Sequence, residues 1–142
     1  MFKRETALKV AVVTLVIVAI MDLFRGYMHT ANIWYASENI AKMTQTADTM
    51  NLMNFFGISN LLTGCIYLLI ILKAKELSPY VLVIIPVTYL IGIISSNLTG
   101  VAAMQVSEWN GKYMMYVYLA ATALIGINYF ISAARHKVKT SE

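Results

Sequence analysis

The sequence predicts an all-α integral membrane protein in which four transmembrane helices form an antiparallel bundle. Four long apolar stretches occupy most of the 142 residues, and each approaches the ~20 residues that cross a ~30 Å hydrocarbon layer. Composition agrees, because 59% of the residues are hydrophobic and 13% are charged, whereas an average soluble domain carries about 25% charged residues. One soluble core of this size would not bury so much apolar surface.

The chain is predicted to form a single membrane domain, 1–142. Its spans cover about residues 8–29, 53–73, 80–104 and 113–134. The first span does not end at a small-residue cleavage site, so we interpret it as a retained helix rather than a signal peptide. The glycine-containing second span, the tight basic turn Lys73–Pro79 and the third span close behind it resemble the layout of DoxX-type four-helix membrane proteins. That resemblance is one of architecture and implies no functional residue.

The distribution of basic residues predicts that both termini are cytoplasmic. With that orientation, eight basic residues lie on the inner side and three on the outer side. The inner set is Lys3, Arg4, Lys9, Lys73, Lys75, Arg135, Lys137 and Lys139, and the outer set is Arg25, Lys42 and Lys112. An excess of Lys and Arg on the cytoplasmic side is the usual pattern of membrane proteins. The net charge of +4 therefore needs no nucleic acid as a partner.

The long connection between spans one and two is predicted to contain an amphipathic helix over about residues 31–50. Its apolar residues recur at alternating steps of three and four, at Ile33, Ala36, Ile40, Met43, Ala47 and Met50. Such a helix lies on the outer membrane surface or covers the bundle. Aromatic residues at the same level predict an outer belt of Trp34, Tyr35, Trp109, Tyr113, Tyr116 and Tyr118.

Small residues in the spans predict where helices approach one another closely. Span three carries Gly92, Ser96 and Gly100 at intervals of four. Further small residues are Gly57 and Gly64 in span two and Gly126 in span four. Small side chains at such spacing let helix backbones come together in lipid, where no hydrophobic driving force joins helices.

A candidate ligand-binding site is predicted at the outer end of the bundle. Asp22, Arg25 and His29 are spaced three and four apart, so they share one face of span one. Asn60 in span two and Asn97 in span three are expected at similar depth, with Trp34 above them. Charged and polar groups within a span are costly in lipid and often mark functional positions. The alternative interpretation is that the Asp22–Arg25 pair is only an anchor.

Several site classes find no support in the sequence. The two histidines, His29 and His136, are predicted on opposite sides of the membrane, so they do not supply two axial ligands to one haem. We find no cluster of His, Cys or carboxylates with metal-ligand spacing and predict neither a metal site nor a cofactor. The single cysteine, Cys65, excludes an intrachain disulfide.

Three functions remain open at this stage. The first is an accessory subunit of a membrane complex, or a binder of a lipid- or quinone-like amphiphile in an outward-facing polar pocket. The second is an intramembrane enzyme that uses Asp22 and His29 as acid and base on an amphiphilic substrate. The third is a dimeric small-solute facilitator with Asn60 and Asn97 along its path. The predicted partners are the lipid bilayer, an amphiphilic small ligand and a homo-oligomer or larger complex, in a prokaryotic plasma membrane.

Overall fold

The computed structural model describes residues 3–104 and 111–139, and side chains for residues 3–104 and 113–135. The described chain contains four long helices, which we name α1 to α4. They are α1 (Arg4–Thr30), α2 (Ala47–Lys73), α3 (Ser78–Leu98) and α4 (Gly111–Lys139). All four are long and apolar enough to cross a membrane. The prediction of four apolar helices is confirmed; of the predicted aromatic belt, Trp109 lies outside the described residues.

Helix α1 forms the centre of the bundle, because it packs against each of the other three helices. Its buried face is one stripe with steps of three and four, from Ala7 through Ala11, Leu15, Val18 and Asp22 to Gly26. Leu15 packs with Tyr67 of α2, Leu82 of α3 and Tyr118 of α4 in one cluster. The carboxyl group of Asp22 thus continues an otherwise apolar stripe into the interior.

Glycines set the close approach of α1 and α2. A Cβ atom added at Gly57 would lie 2.8 Å from the Cβ atom of His29, and one added at Gly64 would lie 2.7 Å from Cγ of Leu23. Gly26 on α1 makes the reciprocal contact with Leu61. As α1 advances from Leu23 to His29, its contacts on α2 therefore move back from Gly64 to Gly57.

The remaining small residues divide into two groups. Gly126 of α4 lies against α3, since an added Cβ atom would stand 2.7 Å from Cγ2 of Val83. By contrast, no described neighbouring atom lies within 4 Å of a Cβ atom added at Gly92 or Gly100, whereas Ser96 on the same helix is half-buried. The two glycines of the predicted α3 stripe thus make no close helix contact within the described bundle.

The connection from α1 to α2 differs from the single amphipathic helix predicted over residues 31–50. It consists of a short helical turn, Ile33–Tyr35, and a π-helical turn, Ala36–Ile40, after which the chain is not helical until Ala47. The position of this connection on a membrane surface stays a prediction. Ala36 of this connection forms a second small apolar cluster with Met28 of α1 and Met53 of α2.

Local polar bonds explain why the helix is interrupted. Thr46 and Thr49 form a reciprocal cap in which each side chain accepts a hydrogen bond from the other's backbone N–H, so a new helix starts at Ala47. The Gln45 side-chain amide donates to the Ser37 hydroxyl at 2.9 Å, and Lys42 has a left-handed φ of 48°. These features stop a helix in spite of the apolar periodicity.

The ends of the helices also depart from the predicted spans. The Thr46 cap lets α2 begin at Ala47, before the predicted start at 53. Helix α3 ends at Leu98 rather than near 104, because Gly100 takes a left-handed φ of 76° that terminates helices. Helix α2 and helix α3 are joined by a short turn, and along the described residues each packs more extensively against α1 than against the other.

Candidate ligand-binding site

A cavity of about 190 Å³ with polar walls lies where the four helices meet. We call it the polar cavity. Helix α1 contributes Asp22 and Arg25, and helix α4 contributes Tyr118. Helix α2 contributes Asn60, Thr63 and Tyr67, and helix α3 contributes Ile85, Thr88 and Tyr89. Asn60 is the middle residue of α2 and Thr88 the middle residue of α3, so the cavity lies midway along these helices.

The Asp22 carboxylate and the Arg25 guanidinium form the charged part of this wall. Their nearest atoms, Oδ1 and Nη1, are 3.4 Å apart, and the side chain of Asp22 is only 6% exposed, against 27% for Arg25. Ion pairs with short hydrogen bonds have N–O distances of about 2.7–2.9 Å. At 3.4 Å the pair is loose, and both groups retain bonding capacity towards a third group between or beside them.

Asn60 is the most informative residue of the cavity. It is 8% exposed, and its Nδ2 atom has no hydrogen-bond partner among the side chains and backbone that the structure describes. A buried amide N–H without a partner costs about 1–3 kcal/mol, and in proteins nearly all such groups are satisfied. The amide therefore offers a donor at the wall of a cavity that has room for an acceptor.

Hydroxyl groups complete the polar wall. The Thr63 hydroxyl donates to the backbone carbonyl of Ser59 at 2.8 Å, and the Thr88 hydroxyl donates to that of Ile85 at 2.8 Å. Because their hydrogens are engaged on their own helices, these two oxygens can only accept a hydrogen bond from a ligand. Across the cavity, the Arg25 guanidinium carbon lies 5.8 Å from the centre of the Tyr118 ring, within cation–π range.

Three of the six predicted ligand-site residues line the polar cavity: Asp22, Arg25 and Asn60. The other three do not. The ring of His29 packs on Phe56, with ring centres 5.5 Å apart, because its backbone is held against Gly57. Asn97 is exposed and donates to the carbonyl of Ile93 on its own helix at 2.8 Å, and Trp34 is 65% exposed. The predicted site thus mixes residues of the cavity with residues outside it.

Sequence reasoning missed the tyrosines. Tyr67 and Tyr89 were not singled out, and Tyr118, expected in the outer aromatic belt, is 8% exposed and part of the core. A signal was present on α2, where Asn60, Thr63 and Tyr67 follow the same three-and-four spacing. Adjacent Thr88 and Tyr89 similarly interrupt the apolar middle of α3.

A second cavity, of about 540 Å³, lies between α1 and α4. We call it the α1–α4 groove. Its walls are apolar and include Ile17, Val18 and Met21 from α1, and Val117 and Ala121 from α4. Ile17 is 54% exposed and Val117 is 70% exposed, so the groove opens at the surface of the bundle. Tyr118 lines both the groove and the polar cavity, and the two therefore adjoin.

Within the described part of the chain, no group of three His, Cys, Asp or Glu side chains is arranged to hold a metal ion. The described wall of the polar cavity offers hydrogen-bonding groups, an ion pair and aromatic rings. No protein-family model, curated protein or solved structure matches this chain.

Proposed function

We propose that this chain is a multi-pass membrane protein that binds the polar head of a membrane-soluble amphiphile in the polar cavity. The observation that carries the proposal is Asn60, a buried amide whose Nδ2 atom lacks a partner in the described chain and faces a cavity large enough for a ligand. A buried donor without a partner destabilises the protein, and a ligand that supplies the acceptor removes this penalty. The removal of the penalty contributes to the free energy of ligand binding.

The position of the polar cavity favours an amphiphile over a water-soluble ligand. The cavity lies midway along α2 and α3, which are long and apolar enough to span a membrane. At that depth the surrounding solvent is hydrocarbon, so a ligand with an apolar tail reaches the cavity without leaving the bilayer. Ligand sites between the helices of bundles, with a few polar groups on apolar walls, are common.

We propose further that the helices are antiparallel, with both termini cytoplasmic and the α1–α2 connection outside. The register of α1 against α2, in which Leu23 meets Gly64 and His29 meets Gly57, supports the antiparallel direction. The excess of Lys and Arg at the proposed inner side supports the orientation. A cell membrane is the proposed location.

This orientation predicts the accessibility of two exposed positions. In a Cys65→Ser background, which removes the natural thiol, Asp48→Cys should react with a membrane-impermeant maleimide added to sealed right-side-out vesicles. Glu76→Cys, in the turn before α3, should react only after the vesicles are permeabilised. Reaction of both positions before permeabilisation, or the opposite pattern, would contradict the orientation.

The two other functions inferred from sequence receive less support. The acid–base pair of the enzyme hypothesis joins Asp22 with His29, but His29 does not line the polar cavity. The facilitator hypothesis places Asn60 and Asn97 on one path, but Asn97 is exposed and bonded to its own helix. An accessory role in a larger complex or a homo-oligomer stays a prediction, compatible with amphiphile binding.

Asn60→Leu should reduce ligand occupancy, because it removes the free donor while keeping a side chain of similar size. One hydrogen bond contributes about 0.5–1.5 kcal/mol, which corresponds to about a twofold to twelvefold loss of affinity. The measurement is native mass spectrometry of protein extracted from its own membrane in mild detergent. The wild-type protein should carry a small molecule that the variant loses.

The matched control is Asn97→Leu, which makes the same chemical change at an exposed position and should retain the ligand. Thr88→Val provides a second cavity variant that keeps side-chain shape while removing an acceptor oxygen, and it should also lower occupancy. Circular dichroism and gel filtration establish that each variant is folded. Absence of any bound molecule in the wild-type protein, or equal occupancy in Asn60→Leu and Asn97→Leu, would overturn the proposed function.

A further inference from the structure

We infer that the ligand of the polar cavity is an amphiphile with an uncharged, carbonyl-bearing head, whose single hydrocarbon tail lies in the α1–α4 groove. This inference rests on the proposed function and specifies it in two ways. It assigns the chemical class of the head from the donors, acceptors and charges of the cavity. It also assigns a place for the tail, and with it lateral entry from the lipid.

The donors of the polar cavity require an acceptor on the ligand. The free N–H groups of Asn60 and the guanidinium of Arg25 can only donate hydrogen bonds at nitrogen. The ligand must therefore carry a carbonyl or a similar acceptor oxygen. The threonine oxygens and the Asp22 carboxylate accept bonds, so a hydroxyl group on the same head finds partners too. A carbonyl next to a hydroxyl, as in a glycerol ester, matches both sets.

The charges of the cavity select an uncharged head. Asp22 and Arg25 carry opposite charges at 3.4 Å, so the described cavity wall is neutral as a whole. An anionic head bound to Arg25 would leave the carboxylate of Asp22 without its cation, although the Asp22 side chain is only 6% exposed. A cationic head would compete with Arg25, which already lies over the ring of Tyr118. A buried charge without a partner is strongly unfavourable.

Size agrees with a compact head. An engineered apolar cavity of about 150 Å³ accommodates benzene, and the polar cavity is slightly larger at about 190 Å³. A head of one ring or one glycerol unit therefore fits, whereas a sugar chain does not. The hydrocarbon tail is too large for this cavity and must extend out of it. The α1–α4 groove adjoins the cavity and gives the tail an apolar path.

The groove provides apolar surroundings even where its residues carry hydroxyl groups. The Thr14 hydroxyl donates to the carbonyl of Val10 at 2.9 Å. The Thr122 hydroxyl donates to the carbonyls of Tyr118 and Leu119 at 3.0 Å. Both donors are therefore satisfied on their own helices and present little polarity to a tail. Because Tyr118 lines both the polar cavity and the groove, its side chain would contact the ligand where the head joins the tail.

The test uses photoactivatable probes that share one diazirine-bearing hydrocarbon chain and differ in the head. They are a monoacylglycerol, the free fatty acid and an alkyltrimethylammonium, each in phosphatidylcholine liposomes with the full chain. After illumination, peptide mass spectrometry locates the labels. The monoacylglycerol should label the groove, at residues such as Ile17 and Val117, about tenfold more than either charged probe.

Two phenylalanine variants test the route of the tail. Ala121→Phe fills the groove and should reduce monoacylglycerol labelling by about tenfold. Ala120→Phe makes the same change at the adjacent, exposed position and should leave labelling unchanged. A matched folding check by circular dichroism accompanies both variants.

Each contrary result has a distinct meaning. Equal or stronger groove labelling by a charged probe would overturn the uncharged head. No effect of Ala121→Phe would overturn the tail position. If either of these results is obtained but Asn60→Leu lowers labelling, the polar cavity still binds the head. Only the inferred charge of the head or the inferred tail position then fails. If Asn60→Leu is also without effect, the proposed function fails with it.

Discussion

Gly57→Ala should destabilise the bundle by about 2 kcal/mol, within the range for overpacking a tight contact. The added Cβ atom would lie 2.8 Å from Cβ of His29 and 2.9 Å from its carbonyl carbon. The second of these atoms is backbone, so α1 as a whole must move away from α2. Because α1 is the central helix, that movement disturbs the contacts on which the polar cavity depends.

The measurement is the free energy of unfolding in bicelles or mixed micelles, followed by circular dichroism during titration with a denaturing detergent. Gly92→Ala is the matched control, since its Cβ atom would have no described neighbour within 4 Å. Alanine favours a helix interior over glycine by about 1 kcal/mol, so this control should be neutral or stabilising. Equal destabilisation by both changes would show that the loss of stability does not come from the α1–α2 contact at Gly57.

The four long apolar helices are predictable from sequence because a segment that can cross a membrane must obey a simple rule. A segment in hydrocarbon must satisfy its backbone internally and be apolar over about 20 residues. The helix ends are less predictable, since they depend on single residues. The Thr46–Thr49 cap starts α2 early, and the left-handed conformation of Gly100 ends α3 early.

The candidate site was predictable in part. A charge inside a span is conspicuous, so Asp22 and its neighbour at i+3, Arg25, were identified together. For the other polar residues, the position along a helix predicts only the depth in the membrane. It does not predict which face of the helix is turned towards the interior of the bundle. Asn60 turns into the polar cavity and Asn97 turns outward, because α3 packs on α1 and α4 through a different face, which includes Leu82 and Ile85.

The tyrosines were missed for a related reason. In a membrane protein, tyrosine is expected at the interface, where its hydroxyl meets water and its ring meets lipid. Inside the bundle, the same side chain serves as a large apolar surface with one polar end. Tyr67, Tyr89 and Tyr118 take this second role around the polar cavity, and only the packing of four helices reveals it.

Arg25→Met should be the most damaging single change at the cavity. Methionine has an unbranched side chain of similar length to that of arginine. The substitution therefore removes the only cation recorded beside Asp22 in the described chain. The Asp22 side chain, 6% exposed, would then be buried without its ion partner, and such a loss costs about 3 kcal/mol. The free energy of unfolding in bicelles should fall by that amount.

A double-mutant cycle separates this cost from a general effect of the substitution. Asp22→Asn removes the charge that needs compensation, so the pair Asp22→Asn with Arg25→Met should recover most of the stability lost in Arg25→Met alone. Lys9→Met, which removes an exposed cation from the same helix, should have little effect. If the double variant were as unstable as Arg25→Met, the arginine would act by packing on Tyr118 rather than by compensating a charge. In that case the neutral balance of the cavity, and the uncharged head inferred from it, would lose their basis.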